Sequence, residues 1–275
     1  LLLIFFKNGY FKKYKKEDYY FLNLDKKKLS YYVTKNFDKY KNKNFKNNNL
    51  KNILIIGDSY AQDFTNIFLE LNNELNFNIS TKYISVECLN LYIDENVLSD
   101  LRPDKCNSLS QFYDDDLLEL IKKSDVIYLS SYWKNLTTKY IDLSVKNIEN
   151  ISNSEIYVFG TKNFKRINIR DILKTNVSVR YKLSFKLDNQ KIKINEKLKN
   201  KLGIKYIDLF DLFCENYENC LTFKDKKLIS HDGGHLTQEG VSFFSELFFE
   251  DSRINLRWLN YLIKLINNSF SNTQK

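Results

Sequence analysis

Three residues of this chain could together activate a hydroxyl group. Ser59 ends the run Ile55-Ile56-Gly57-Asp58-Ser59, while Asp232 and His235 lie in His231-Asp232-Gly233-Gly234-His235-Leu236-Thr237. A serine hydroxyl becomes a useful nucleophile when a base removes its proton, and that base needs an acid to orient it. The chain has two histidines, His231 and His235. Of these, His235 alone has an aspartate three residues before it, in a glycine-rich turn that lets both side chains face one pocket. The chemistry expected is acyl transfer or ester cleavage, with Ser59 as nucleophile, His235 as base and Asp232 as its orienting acid. Taken singly, each run has a plainer meaning. A serine after Gly-Asp can cap a helix, and an Asp-x-x-His can be a local hydrogen bond. Their positions at opposite ends of one folded body favour catalysis.

That body must bring the two runs together. Ile53-Leu54-Ile55-Ile56 is a short continuous apolar run, as expected for a strand buried on both faces. Phe64, Ile67, Phe68, Leu71 and Leu75 then follow a helical stripe. Further strands are expected over 79–86, 126–129, 156–159 and 206–208. Helices are expected around 117–121, 138–148 and 194–202, the last ending at Gly203. Thr237 is placed to cap a final helix carrying Val241, Phe244, Leu247 and Phe248. Strands alternating with helices predict an α/β fold: a three-layer α/β/α sandwich on a five-stranded parallel, flavodoxin-like sheet. In such sheets reactive groups collect at the carboxyl ends of the strands, where Ser59 falls.

The domain organisation expected is a basic linker over residues 1–50, the folded domain over 51–250 and a helical tail over 251–275. The net charge of +9 comes from the first part. Residues 1–51 hold 14 Lys against 4 acidic residues, and the remainder sums to −1. Such a segment suits a membrane-proximal linker or a nucleic-acid arm. No nucleic-acid-binding motif accompanies it, so no nucleic-acid partner is expected. The chain starts at Leu1, has no Met, and its first six residues are wholly apolar. They are read as the end of a transmembrane helix or as a frayed apolar terminus or buried strand. Cys88, Cys106, Cys214 and Cys220 form no C-x-x-C pair, and with two histidines in the chain no structural zinc is expected. No cofactor is expected either. The cysteines are read either as disulfides 88–106 and 214–220, implying an oxidising compartment, or as four reduced thiols. Lysines just after a membrane span would instead mark the cytoplasmic side.

The runs Ile55-Ile56-Gly57-Asp58-Ser59-Tyr60-Ala61 and Asp232-Gly233-Gly234-His235-Leu236-Thr237-Gln238-Glu239-Gly240 resemble the first and last blocks of the SGNH (GDSL-type) hydrolases. Gly-Gly-His-Leu-Thr, together with Tyr206-Ile207-Asp208-Leu209, Phe213-Cys214 and Cys220, resembles the SGNH domain fused to membrane acyltransferases of family three. The resemblance implies the same roles for Ser59, Asp232 and His235. It also implies an extracytoplasmic domain, held at the membrane by an upstream acyltransferase domain and transferring O-acyl groups to envelope carbohydrate. A secreted esterase and a silent glycan-binding module are the alternatives. One departure concerns the oxyanion hole. After the third strand stands Ser130-Ser131-Tyr132-Trp133-Lys134-Asn135, without the family's Asn at its usual place, so Asn135 is the expected substitute beside the Ser59 N–H. Trp133 is read as core, with a sugar-binding wall as the other use.

Overall fold

The computed structural model describes residues 14–254 except 73–75, 110 and 167. The apolar start, Leu75 and nearly all of the expected C-terminal tail lie outside the described residues. Helix α1 (Lys26–Tyr40) leads to strand β1 (Lys51–Gly57), helix α2 (Ser59–Leu71) and strand β2 (Phe77–Tyr83). Helix α3 (Asp115–Lys123), strand β3 (Val126–Ser130), helix α4 (Ile141–Glu149) and strand β4 (Glu155–Phe159) follow. Helix α5 (Asn189–Leu202), strand β5 (Tyr206–Ile207) and helix α6 (Gln238–Phe248) complete the main framework. The five strands form one parallel sheet in the order β2-β1-β3-β4-β5.

The layers follow from the two-residue period of the strands. Ile53 and Ile55 of β1 face one apolar cluster, which includes Phe64 and Phe68 of α2 and Val241, Phe244 and Phe248 of α6. Leu54 and Ile56 face a second, with Leu117 and Ile121 of α3, Val145 and Ile148 of α4, and Ile194 and Leu198 of α5. All four residues are essentially inaccessible, which explains the unbroken apolar run. The expected α/β/α sandwich is the observed fold.

Some boundaries differ. β2 stops at Tyr83 because its neighbour β1 ends at Gly57, and the Ile84 N–H turns inward to the Gly57 carbonyl. Val86, expected in the strand, instead opens a short 3-10 turn. α5 begins five residues earlier than expected, where the Asp188 carboxylate caps the Gln190 N–H. Gly203 follows its end with φ +54°.

The larger correction concerns residues 1–50. Their described part is no simple linker, since α1 packs against α2 and the edge strand β2 with Val33 and Phe37 buried. The Phe37 carbonyl accepts a hydrogen bond from Thr81 Oγ1 at 2.7 Å, and Asn66 of α2 donates to the carbonyls of Tyr32 and Val33. Farther upstream, Asp18 forms a buried ion pair with Arg180 at 2.6 Å. Leu29, Val33 and Phe37 sit four residues apart, a helical stripe outweighed in the sequence by the surrounding lysines.

Both cysteine pairs are disulfides, Cys88–Cys106 and Cys214–Cys220. The first closes a loop of 18 residues, for which chain-entropy arguments give about 3 kcal/mol of stabilisation. It fixes the segment after β2 that borders the cleft described below. Among the described residues, no helix is long and apolar enough to cross a membrane.

Candidate active site

The site is built at the carboxyl ends of β1, β3 and β4. β1 and β3 approach so closely at Gly57 that a Cβ there would lie 1.7 Å from the Ser130 carbonyl oxygen. Only glycine can end β1 at this point. Asp58 follows and is buried. Its Oδ1 accepts from the Tyr60 N–H at 2.9 Å, capping α2. Its Oδ2 accepts from Ser131 Oγ at 2.6 Å and from the Tyr132 N–H at 2.8 Å. Burial raises the Asp58 pKa, a rise that these three bonds oppose. Asp58 therefore caps the helix and pins the loop after β3. Capping falls to Asp58, and Ser59 stands as the first helical residue. Its backbone N–H belongs to the opening turn, where helical amides lack intrahelical partners.

The second run is held just as closely. Gly233 adopts φ +96°, and a Cβ there would lie 2.8 Å from the Phe164 carbonyl oxygen. The Phe164 N–H donates to the Gly233 carbonyl at 2.9 Å, joining this turn to the loop after β4. Asp232 Oδ1 accepts from the N–H groups of Gly234 and His235, both at 2.8 Å. Its Oδ2 lies 2.6 Å from His235 Nδ1. Partial burial works against ionisation of Asp232. The His235 ring and the backbone N–H groups of His235 and Gly234 overcome it and hold the carboxyl well below the usual carboxylate range. An ionised Asp232 makes Nδ1 the protonated nitrogen of neutral His235 and leaves Nε2 as the free base. Thr237 caps α6 through the Gly240 N–H, as expected.

His231 is placed differently. Its side chain is 9 % exposed and its Nε2 is 3.6 Å from Asp232 Oδ2, beyond hydrogen-bond range. Burial lowers its pKa, and the Asp232 carboxylate opposes this. The donor atoms of His231, Asp232 and His235 lie within 4.8 Å of one another, a spacing compatible with a metal. Two ligands on one zinc at about 2.0–2.2 Å would stand more than 3 Å apart. The 2.6 Å contact between Asp232 and His235 is instead a hydrogen bond.

Ser59, Asp232 and His235 line one cleft of about 400 Å³, together with Asp58, Tyr60, Tyr83, Tyr132, Asn163 and Arg166. Asn135 is outside it: exposed, its Oδ1 accepts from Lys197 Nζ at 2.7 Å. The expectation that Asn135 supplies an oxyanion donor is therefore not met, because its loop turns away toward α5. Trp133 is core, 1 % exposed, with Nε1 donating to the Phe159 carbonyl at 2.7 Å. Sequence reasoning missed Asn163 and Arg166 at the cleft, and Asp63 and Lys162 beneath it. The first two and Lys162 follow β4, so the rule that sites form at strand ends could have flagged them. Asp63 was detectable as a charge on the helix turn after Ser59, beside Phe64 and Ile67.

The family model for the SGNH domain fused to AT3 domains matches residues 30–250. The chain belongs to this family. The match begins within α1, consistent with that helix being part of the folded body. No curated protein matches the chain. The periplasmic domain of a lipopolysaccharide acetyltransferase from Salmonella ser. Paratyphi A is similar in structure, with a TM-score of 0.58 and 18% identity. The alignment covers 87% of this chain and 99% of that one. The lipase Lip_vut3 from a goat rumen metagenome is also matched, at a TM-score of 0.38 and 12% identity, over 72% of this chain and 95% of the other. The SGNH domain described here thus shares the fold of the Salmonella domain.

Proposed function

We propose that this SGNH domain transfers O-acyl groups, of which acetyl is the simplest, to carbohydrate of the cell envelope. The observation that carries the proposal is the gathering of Ser59 and the hydrogen-bonded Asp232–His235 pair in one cleft at the sheet's carboxyl edge. In this reading Ser59 Oγ attacks the acyl carbonyl while His235 Nε2 takes its proton. The tetrahedral intermediate expels the donor oxygen, which leaves with that proton, and the acyl group remains as an ester on Ser59. An acceptor hydroxyl then gives its proton to His235 and attacks the ester carbonyl, and the Ser59 oxygen leaves with that proton as the acyl group passes to the acceptor. Negative charge on the carbonyl oxygen is met by the Ser59 N–H at the helix start and by the Asn163 carboxamide, the one carboxamide side chain among the described residues that line the cleft. The rings of Tyr60, Tyr83 and Tyr132 give the cleft walls that are apolar with polar tips, suited to a sugar.

The two disulfides and the family's fusion to AT3 domains support an extracytoplasmic site, with a membrane acyltransferase domain as partner. A domain supplied with acyl groups by such a partner needs no coenzyme site of its own. The chain has seven glycines and no glycine-rich phosphate loop. The purified protein is accordingly expected to hydrolyse an aryl acetate, because that substrate requires only nucleophile, base and oxyanion donors. It should release no coenzyme A from acetyl-coenzyme A. Spectrophotometry of phenolate and of free thiol, in parallel, reads both. Folded protein that turns over neither ester would favour a silent binding module. Efficient use of acetyl-coenzyme A would remove the need for a membrane donor.

A further inference from the structure

The ion pair between Lys162 and Asp63 lies beneath the cleft, and both side chains are almost wholly buried, 3% and 0% exposed, with Nζ 2.5 Å from Oδ2. Asp63 is on α2, one helical turn beyond Ser59 and on the same side of the helix. Lys162 stands on the loop after β4, with its ammonium 3.8 Å from the centre of the Tyr60 ring. Each partner also holds the backbone beside His235. Lys162 Nζ donates to the Gly234 carbonyl. The Leu236 N–H reaches both Asp63 oxygens at 3.2 Å. The peptide units on either side of His235 are thus gripped by one ion pair rooted in the nucleophile's own helix.

We infer that Lys162 and Asp63 are positioning residues that fix His235 relative to Ser59. The inference rests on the proposed roles of those two residues. Asp232 sets the tautomer and tilt of the imidazole from within its own turn, but it cannot set the distance from that turn to α2. The Lys162–Asp63 clamp spans that gap. Burial makes it suited to the task, since a pair screened from water holds a tighter geometry than a surface pair. An apolar substitute could fill the space but would give Gly234 and Leu236 nothing to bond.

The test uses the double variant Asp63→Leu/Lys162→Met. Replacing a buried pair by apolar residues of similar size is commonly tolerated, whereas removing one partner strands a buried charge. With an aryl acetate as substrate, kcat should fall about 100-fold, the loss typical of an ångström of misplacement, while KM stays within about threefold. Exchange of the Leu236 amide hydrogen should accelerate at least about tenfold, because its acceptor is gone. The low-field proton shared by Asp232 and His235 should persist in the NMR spectrum, showing the pair intact but misplaced. A folded double variant with kcat within threefold of wild type, or with its loss confined to KM, would overturn the inference. Should the double variant not fold, Lys162→Arg keeps the charge but puts a larger, planar group where the compact ammonium meets both Asp63 and the Gly234 carbonyl. It should lower kcat about tenfold without moving KM, and wild-type kcat would count against the clamp. A wild type inactive on the ester would instead sink the catalytic reading. The clamp would then stand or fall on Leu236 exchange in the double variant, where the Asp63 acceptor is gone and an unchanged rate would refute it.

Discussion

Ser59→Ala and His235→Ala should each lower kcat for ester cleavage by about 10⁴- to 10⁶-fold, and combining them should cost no more than the worse single change. The non-additivity follows from the chemistry. Without the hydroxyl the base has no proton to take, and without the base the hydroxyl stays a poor nucleophile. Neither change should harm the fold. Asp58 supplies the cap of α2, so alanine at the first helical position removes no capping bond. The turn at 231–236 is held without the His235 ring, for instance by Ser230 Oγ donating to the His235 carbonyl at 2.7 Å. His231→Ala is the control. Its ring lies 3.6 Å from the carboxylate that His235 engages at 2.6 Å. Its removal should leave kcat within about tenfold of wild type, less than a lost general base costs. Steady-state kinetics with circular dichroism as the folding check would measure all three. Equal losses in the two histidine variants would mean that the base has been misassigned.

Asp232→Asn should cost about 10⁴-fold in kcat at neutral pH with little structural change. The asparagine oxygen can still accept from the Gly234 and His235 N–H groups, which keeps the turn. Its NH₂ group, however, faces His235 Nδ1 as a donor and drives the imidazole proton onto Nε2. The nitrogen that must accept the Ser59 proton is then already protonated. The pH dependence separates this from a folding defect. In the folded protein the Asp232 pKa is depressed, so the stability it contributes is present above the ordinary carboxylate range and lost as pH falls through the depressed value. The urea midpoint of wild type should therefore owe no change to Asp232 between neutrality and about pH 4. Below that, it should fall more steeply in wild type than in Asp232→Asn. A wild-type activity profile with an Asp232 step above pH 4, absent from the variant, would show that the carboxylate is not held ionised.

The sheet was legible because its strands are buried on both faces. Ile53 to Ile56 cannot be an amphipathic surface element, and the strands that followed gave the order of a doubly wound sheet. The candidate catalytic residues were legible because each sits where a chain reversal demands glycine, at Gly57 and at Gly233. What stayed hidden was what depends on partners distant in sequence. Asn135 stood at a plausible spacing after β3, yet Lys197 draws it outside. Lys162 and Asn163 carry no motif, and β4 alone brings them beneath and beside Ser59. α1 was lost among its lysines because charge along a helix says little about the narrow face that packs. There the spacing of Leu29, Val33 and Phe37 was the better guide.

The nucleophile can be tested directly by trapping. Incubation with a fluorophosphonate, followed by intact-mass measurement and peptide mapping, should give a single phosphonyl adduct on the peptide that contains Ser59. The adduct should be absent from Ser59→Ala and should form far more slowly in His235→Ala, since attack on phosphorus needs the same deprotonation. A folded wild type left unlabelled, or labelled at another serine, would contradict the assignment of Ser59 and with it the proposed acyl transfer.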